Sequence, residues 1–201
     1  MQPNPIYEDI INQLLANNYA VYDNFISTEM TAELNLQCKK KFENQLFKSA
    51  GIGSQTNFQL NTAIRKDKIL WLDTNNDNLA VAELQFCEQI SNLIEYLNQT
   101  CYLGLKSYEL HYSCYEVGDF YHRHLDQFKQ NGSRKLSLIC YLNENWNEKD
   151  GGQLRIELEN DNLADIPPLA GRLVMFWADK IWHQVLPTQK IRQSLTGWLK
   201  N

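Results

Sequence analysis

Long apolar runs are missing from this chain, so no membrane-spanning helix is expected. The opening residues, Met1-Gln2-Pro3-Asn4-Pro5, carry neither a basic segment nor an apolar one, and no signal peptide is expected. Cysteine is sparse. Cys38, Cys87, Cys101, Cys114 and Cys140 are odd in number and include no Cys-x-x-Cys pair. That excludes a fully paired disulfide framework and points to reduced, mostly buried thiols in a cytoplasmic protein. Positive charge is also short. Nineteen Lys and Arg stand against 24 Asp and Glu, for a formal net charge of -5. The basic triplet Lys39-Lys40-Lys41 falls in a predicted helix, where a solvated face accounts for it. Neither a nucleic-acid partner nor a membrane follows from this balance. No internal repeat, low-complexity tract or linker interrupts the chain. With 201 residues, 43% hydrophobic and 21% charged, it is expected to fold as a single domain, 1–201, with a sizeable core.

Two periodicities divide that domain. Ile10, Ile11, Leu14 and Leu15 make a helical stripe within Ile6 to Asn18, and Ala20-Val21-Tyr22 reads as a short strand. Ser27 is placed to cap a helix running to about Phe47, with Glu29 in its first turn. Ser49 to Thr62, rich in Gly, Ser, Asn and Gln, reads as a long, mobile loop before an ordered piece, Ile64 to Leu72. After a polar break at Thr74 to Asn78, Leu79 to Leu97 reads as a helix burying Leu84, Phe86, Cys87, Ile90, Leu93, Ile94 and Leu97. The period then drops to two. Segments near 107–116, 120–126, 134–142, 152–158, 172–177, 182–186 and 191–199 are short, apolar and separated by Gly, Asn, Asp and Pro clusters. Helices followed by many short strands predict an α+β fold with an antiparallel sandwich or barrel. Helical support is expected over about 1–100 and the strand core over about 105–199.

The chemistry concentrates in the strand core. His124-Leu125-Asp126 is a His-x-Asp pair, and residues i and i+2 of a strand share a face. An imidazole and a carboxylate can therefore reach one ion from a single extended segment. His183 lies about sixty residues downstream beside another strand-like run. Two His and one carboxylate form a facial triad with open positions, the arrangement that suits non-haem Fe(II) and O2. Arg192 follows in Arg192-Gln193-Ser194-Leu195-Thr196-Gly197-Trp198, where Arg192, Ser194, Thr196 and Trp198 share a face. A buried Arg there would hold a carboxylate through its planar fork.

Several runs of the chain resemble one family. They are Ile64-Arg65-Lys66-Asp67-Lys68-Ile69 with Trp71, Tyr115 through Asp126, Arg134, Ile139 to Asn143, Gly151 to Ile156, Gly171 to Trp177, His183, and Arg192 to Trp198. They are similar to the 2-oxoglutarate- and Fe(II)-dependent dioxygenases, in particular the prolyl 4-hydroxylase group with the hypoxia-inducible-factor prolyl hydroxylases and their bacterial relatives. The resemblance covers roughly residues 60 to 199. It implies a double-stranded β-helix, or jelly-roll, core supported by the N-terminal helices. It implies iron on His124, Asp126 and His183, and 2-oxoglutarate held by Arg192, Tyr141, Thr196 and Tyr115. O2 would be the oxidant, and ascorbate is a further cofactor that the likeness suggests. Arg65, Asp67, Arg134 and Trp198 would border a groove for a proline-containing protein or peptide. Residues near 49–72 would fold over that peptide. The implied reaction hydroxylates a prolyl residue, C4 first among its carbons, and releases succinate and CO2.

His122 departs from the pattern, standing where the related enzymes carry an apolar residue. Strand alternation puts it on the ligand side, beside the metal or at the entrance. The chain also ends three residues after Trp198, where the hypoxia-type enzymes continue into a helix, so their substrate is not carried over. Two other functions stay open at this point. One is the same chemistry on another amino acid or a small metabolite. The other is a non-enzymatic metal-binding jelly roll, although such a protein would need neither Arg192 nor Tyr141.

Overall fold

Asn4 and Pro5 open the first helix. Asn4 Oδ1 accepts from the Ile6 and Tyr7 amides at 3.0 and 3.3 Å, and Pro5 supplies a helical φ where no N–H is needed. This helix, α1, spans Pro5–Asn17 and leads into β1, Tyr19–Tyr22. Ser27 Oγ accepts from the Met30 amide at 3.1 Å and caps α2, Thr28–Glu43. Two short strands, β2 (Lys48–Ser49) and β3 (Lys68–Trp71), precede α3, Val81–Cys101. The strand core comprises β4 (Ser107–Tyr115), β5 (Tyr121–His124), β6 (Arg134–Tyr141) and β7 (Leu154–Glu157). It continues with β8 (Leu163–Ile166), β9 (Leu173–Trp177), β10 (His183–Val185) and β11 (Arg192–Lys200). This computed structural model describes residues 2–51, 59–73, 79–127 and 132–201. The expected break at Thr74 to Asn78 and part of the Ser49 to Thr62 loop lie outside them.

All the paired strands run antiparallel, in a seven-stranded sheet, β1-β9-β6-β11-β4-β3-β2, and a four-stranded sheet, β5-β10-β7-β8. Period-two alternation sorts the large sheet into two faces. Leu136, Leu138 and Cys140 of β6, with Leu195 and Leu199 of β11, pack against the three helices. Ile139 and Tyr141 of β6 turn the other way, onto Leu154, Ile156 and Val185 of the small sheet. Arg192, Thr196 and Trp198 of β11 share that inner side with His111, Ser113 and Tyr115 of β4. A slip of one residue in β11 would send Arg192, Thr196 and Trp198 into the helical layer.

Two apolar positions depart from the expected stripes. Leu15 is 74% exposed and Leu84 is 52% exposed. Leu84 lies on the turn opposite Phe86 and Ile90, and the buried place next to it goes to Glu83, which accepts from Tyr112 and Lys41. Strand β8 is not expected from its sequence either. It is only four residues long, and Asp165 joins it to β7 through Arg155 at 2.7 Å. Four of the cysteines are buried as free thiols and Cys101 is partly so.

Gly197 shows how tightly the sheet is drawn together. It pairs with Leu110 on one side and Leu138 on the other. A Cβ there would stand 2.1 Å from the Glu109 carbonyl and 2.6 Å from Leu110 Cδ2. Gly197→Ala is therefore expected to cost about 1–3 kcal/mol through overpacking, a fall of several degrees in the thermal midpoint. An unchanged midpoint would mean that the strands can part without strain.

Candidate active site

A cavity of about 270 Å3 opens between the two sheets. It follows the inner side of β11 from Arg192 to Trp198, a run of roughly 20 Å at about 3.3 Å per residue. The small sheet supplies His124 and His183 to its wall, and Asp126 follows β5.

These three residues meet because β5 and β10 pair with His124 opposite His183. Their ligand atoms all lie within 4.8 Å of one another. His124 Nε2 is 3.5 Å from Asp126 Oδ1, and His183 Nε2 is 3.7 Å from Asp126 Oδ2. The other ring nitrogens are occupied. His124 Nδ1 meets the His122 carbonyl at 2.7 Å, and His183 Nδ1 meets the Ile181 carbonyl at 3.0 Å. A carbonyl can only accept, so each Nδ1 carries a proton, and each Nε2, facing Asp126, is the atom left to ligate a cation. Burial, with His124 alongside, pushes the His183 imidazole down to about 4, so it is neutral at physiological pH. Burial alone would raise the Asp126 carboxyl. His183, His124 and a 2.6 Å hydrogen bond donated by Ser137 Oγ more than offset that and hold it well below the usual carboxylate range. Two imidazole nitrogens and an ionised carboxylate converging on one point can hold a divalent cation.

Arg192 lies at the other end of the cavity, 1% exposed. Its Nε donates to the Gly152 carbonyl at 2.8 Å, and its guanidinium sits 4.9 Å from the rings of both Tyr115 and Tyr141. Gly152 has to be glycine. Its φ is +66°, and a Cβ would fall 3.0 Å from Arg192 Cδ and 3.1 Å from Thr188 Oγ1. Among the described residues no carboxylate pairs with Arg192 there. Its Nη2 and the Tyr141 hydroxyl are both buried without a hydrogen-bond partner. Burial pushes the Tyr141 phenol up and keeps it protonated, so it is a donor. Buried polar groups are almost always satisfied, and two unpartnered donors on side chains packed against each other mark a place for an anion. Thr196 lines the same cavity, its Oγ1 3.1 Å from Ser194 Oγ.

The remaining candidate residues divide. Arg134 lines the cavity, its guanidinium 3.4 Å over the Trp198 ring, and donates to the Asp126 carbonyl at 3.2 Å. Arg65 also lines it, 4.2 Å over the Tyr121 ring. Asp67 does not reach the cavity. It is fully buried behind Arg65 and grips it through two hydrogen bonds of 2.7 and 2.6 Å. The His122 ring is exposed and packs on Phe120 with centroids 4.6 Å apart, so this residue meets His124 through its main chain only. The reason is a bulge. His124 pairs with His183 and Tyr121 with Val185, so four residues of β5 stand opposite three of β10. That extra residue takes His122 out of phase and brings the Tyr121 ring onto His124 instead, stacked at 3.6 Å. Tyr121, Ser137 and His111 are cavity or ligand contacts that sequence reasoning did not single out.

The model of the 2OG-Fe(II) oxygenase superfamily matches residues 110–200. The crystal structure of a Pseudomonas putida prolyl-4-hydroxylase superposes with a TM-score of 0.88 at 32% identity, over 98% of this chain and 100% of that one. The chain belongs to the 2OG-Fe(II) oxygenase superfamily. Fe(II) and 2-oxoglutarate are the metal and cosubstrate that membership in this oxygenase superfamily implies. A Trichoplax adhaerens prolyl hydroxylase, in complex with a peptide fragment of the hypoxia inducible factor oxygen degradation domain, is similar at 27% identity. Its TM-score is 0.87, with 96% of this chain and 88% of that one covered. Human prolyl hydroxylase EGLN3 is 34% identical over 148 residues, 67% of this chain and 58% of its own length. This chain thus spans less than two thirds of that curated relative.

Proposed function

We propose that this chain is a prolyl hydroxylase that acts on a protein or peptide, coupling hydroxylation to release of succinate and CO2 from 2-oxoglutarate. The observation that carries the reading is a pair of unpartnered donors, Arg192 Nη2, on a side chain that lines the cavity with His124, Asp126 and His183, and the Tyr141 hydroxyl, on the ring packed against that guanidinium. Both parts fit the groups that the superfamily uses. The two sheets are read as the double-stranded β-helix, and 1–201 as a single catalytic domain. In this reading His124, Asp126 and His183 hold the iron. Arg192 and Tyr141 bind the distal carboxylate of 2-oxoglutarate, with Thr196 and Tyr115 lining its chamber. Bound together, iron and 2-oxoglutarate would let O2 serve as the oxidant, one oxygen atom going to succinate and the other to the substrate C–H bond. The protein's own residues fix its direction. Ser137 orients Asp126, the bulge presses Tyr121 onto His124, and the two sheets keep water from the chamber. Arg65, kept in place by Asp67, and Arg134, laid over Trp198, border the peptide. Among the described residues no helix is long and apolar enough to cross a membrane. The free thiols agree with a cytoplasmic setting. Ascorbate is the reductant expected to keep the iron ferrous.

The reading is tested with Fe(II), 2-oxoglutarate and ascorbate against capped proline-containing peptides and free proline. A gain of one oxygen on the prolyl residue of a peptide supports it. Hydroxylation of free proline alone would transfer the enzyme to the small-metabolite class.

Tyr141→Phe isolates one part of the site. It deletes a buried hydroxyl that has no partner in the protein, so stability is expected to hold or rise. Binding of 2-oxoglutarate, measured by calorimetry, is expected to weaken by about tenfold, the value of one hydrogen bond to a charged group. Equal binding by the variant would remove Tyr141 from the carboxylate.

A further inference from the structure

His111 is a buried group that the proposed chemistry does not use. It sits on β4 between Thr196 of β11 and Trp71 of β3, its pairing partners on either side. Its ring is stacked on Trp198 with centroids 5.4 Å apart and lies 4.8 Å from Trp71. It lines the cavity, is 3% exposed, and its Nδ1 is buried without a hydrogen-bond partner. Burial first, then the charges of Arg65 and Arg134, push its imidazole down to about 3, so it is a neutral ring. Aromatic faces can pack that ring but cannot satisfy its nitrogen. A polar atom left without a partner, on a ring that lines a cavity able to take substrate, is a recognition element for the substrate to complete.

We propose that His111 is a specificity-determining residue whose Nδ1 hydrogen-bonds a main-chain carbonyl of the peptide next to the target residue. The inference rests on the prolyl-hydroxylase reading. A proline in a peptide has no N–H, so the main chain on either side of its ring offers acceptors, which imidazole meets by carrying its proton on Nδ1. A neutral ring also suits a neutral amide, where a cation would favour a carboxylate. Trp71 and Trp198 hold the imidazole plane.

The test compares His111→Leu and His111→Asn with the unaltered enzyme. The probe is the capped proline-centred decapeptide that the unaltered enzyme hydroxylates fastest. Peptide KM is measured alongside affinity from tryptophan fluorescence. His111→Leu keeps the packing and loses the hydrogen bond, and peptide KM and Kd are expected to rise about tenfold. Its thermal midpoint is expected to hold or rise, because an unsatisfied buried nitrogen has been removed. His111→Asn places an amide nitrogen near the site of Nδ1 and is expected to recover most of the affinity. Unchanged peptide affinity in His111→Leu would overturn the inference. So would a fall in its thermal midpoint that matches the loss of affinity, or an Asn variant no better than the Leu variant. If the unaltered enzyme hydroxylates no peptide in the panel, the prolyl-hydroxylase reading itself fails, and this inference fails with it.

Discussion

Asp126→Ala is expected to reduce succinate formation by more than about 100-fold, since even the residues behind a metal ligand are worth about 10–100-fold in metal affinity or activity. The fold should survive. The Asp126 carboxylate is held by Ser137 and the two imidazoles, and its removal takes a charge out of a nearly closed site rather than an apolar group out of the core. A change of about 1 kcal/mol would move the thermal midpoint of a domain this size by about 2–4 °C. The measurement pairs succinate release with the thermal midpoint of the metal-free protein. A variant that still makes succinate at a near-normal rate would take Asp126 off the iron.

Arg192→Ala is expected to weaken 2-oxoglutarate binding by 30-fold or more, because truncating one side of a buried, hydrogen-bonded charge pair costs about 2–5 kcal/mol. Iron affinity should change far less, since Arg192 approaches the cavity from the opposite end to the triad. Arg192 also fills space between Tyr115 and Tyr141 and bonds the Gly152 carbonyl, so Ala will loosen that corner. Arg192→Lys separates the two effects. It keeps charge and much of the bulk but loses the fork, and is expected to fall between the parent and the Ala variant. Calorimetry with 2-oxoglutarate and, separately, with the metal reads both. Unchanged 2-oxoglutarate binding in Arg192→Ala would exclude this residue from the carboxylate.

The strand core was legible because its period is simple. Leu136, Leu138 and Cys140 alternate with Ser137, Ile139 and Tyr141 in the sequence, and the two sets face the helices and the cavity in the structure. The same period, run backwards from Tyr115 through Ser113, reaches His111, so that residue was within reach of the sequence. His122 was not correctly placed, because a bulge in β5 depends on how β10 meets it and no local residue announces it. Ser137 and Tyr121 act through contacts made across strands, and such contacts depend on register. Asp67 looked like a charge for the groove because a sequence shows the Arg65 and Asp67 pair but not which of the two is buried. Leu15 and Leu84 were misplaced by counting apolar residues without fixing the centre of the buried arc.

In the proposed reaction one cavity couples oxidation of 2-oxoglutarate to hydroxylation of a prolyl peptide. Loading the protein anaerobically with Fe(II), 2-oxoglutarate and the peptide, then admitting isotopically heavy O2, follows both products at once. One heavy oxygen atom is expected in succinate and one in the hydroxyprolyl peptide, with the two products formed in equal amounts. Unlabelled succinate, or labelled succinate with no oxygen gained by any peptide offered, would contradict it.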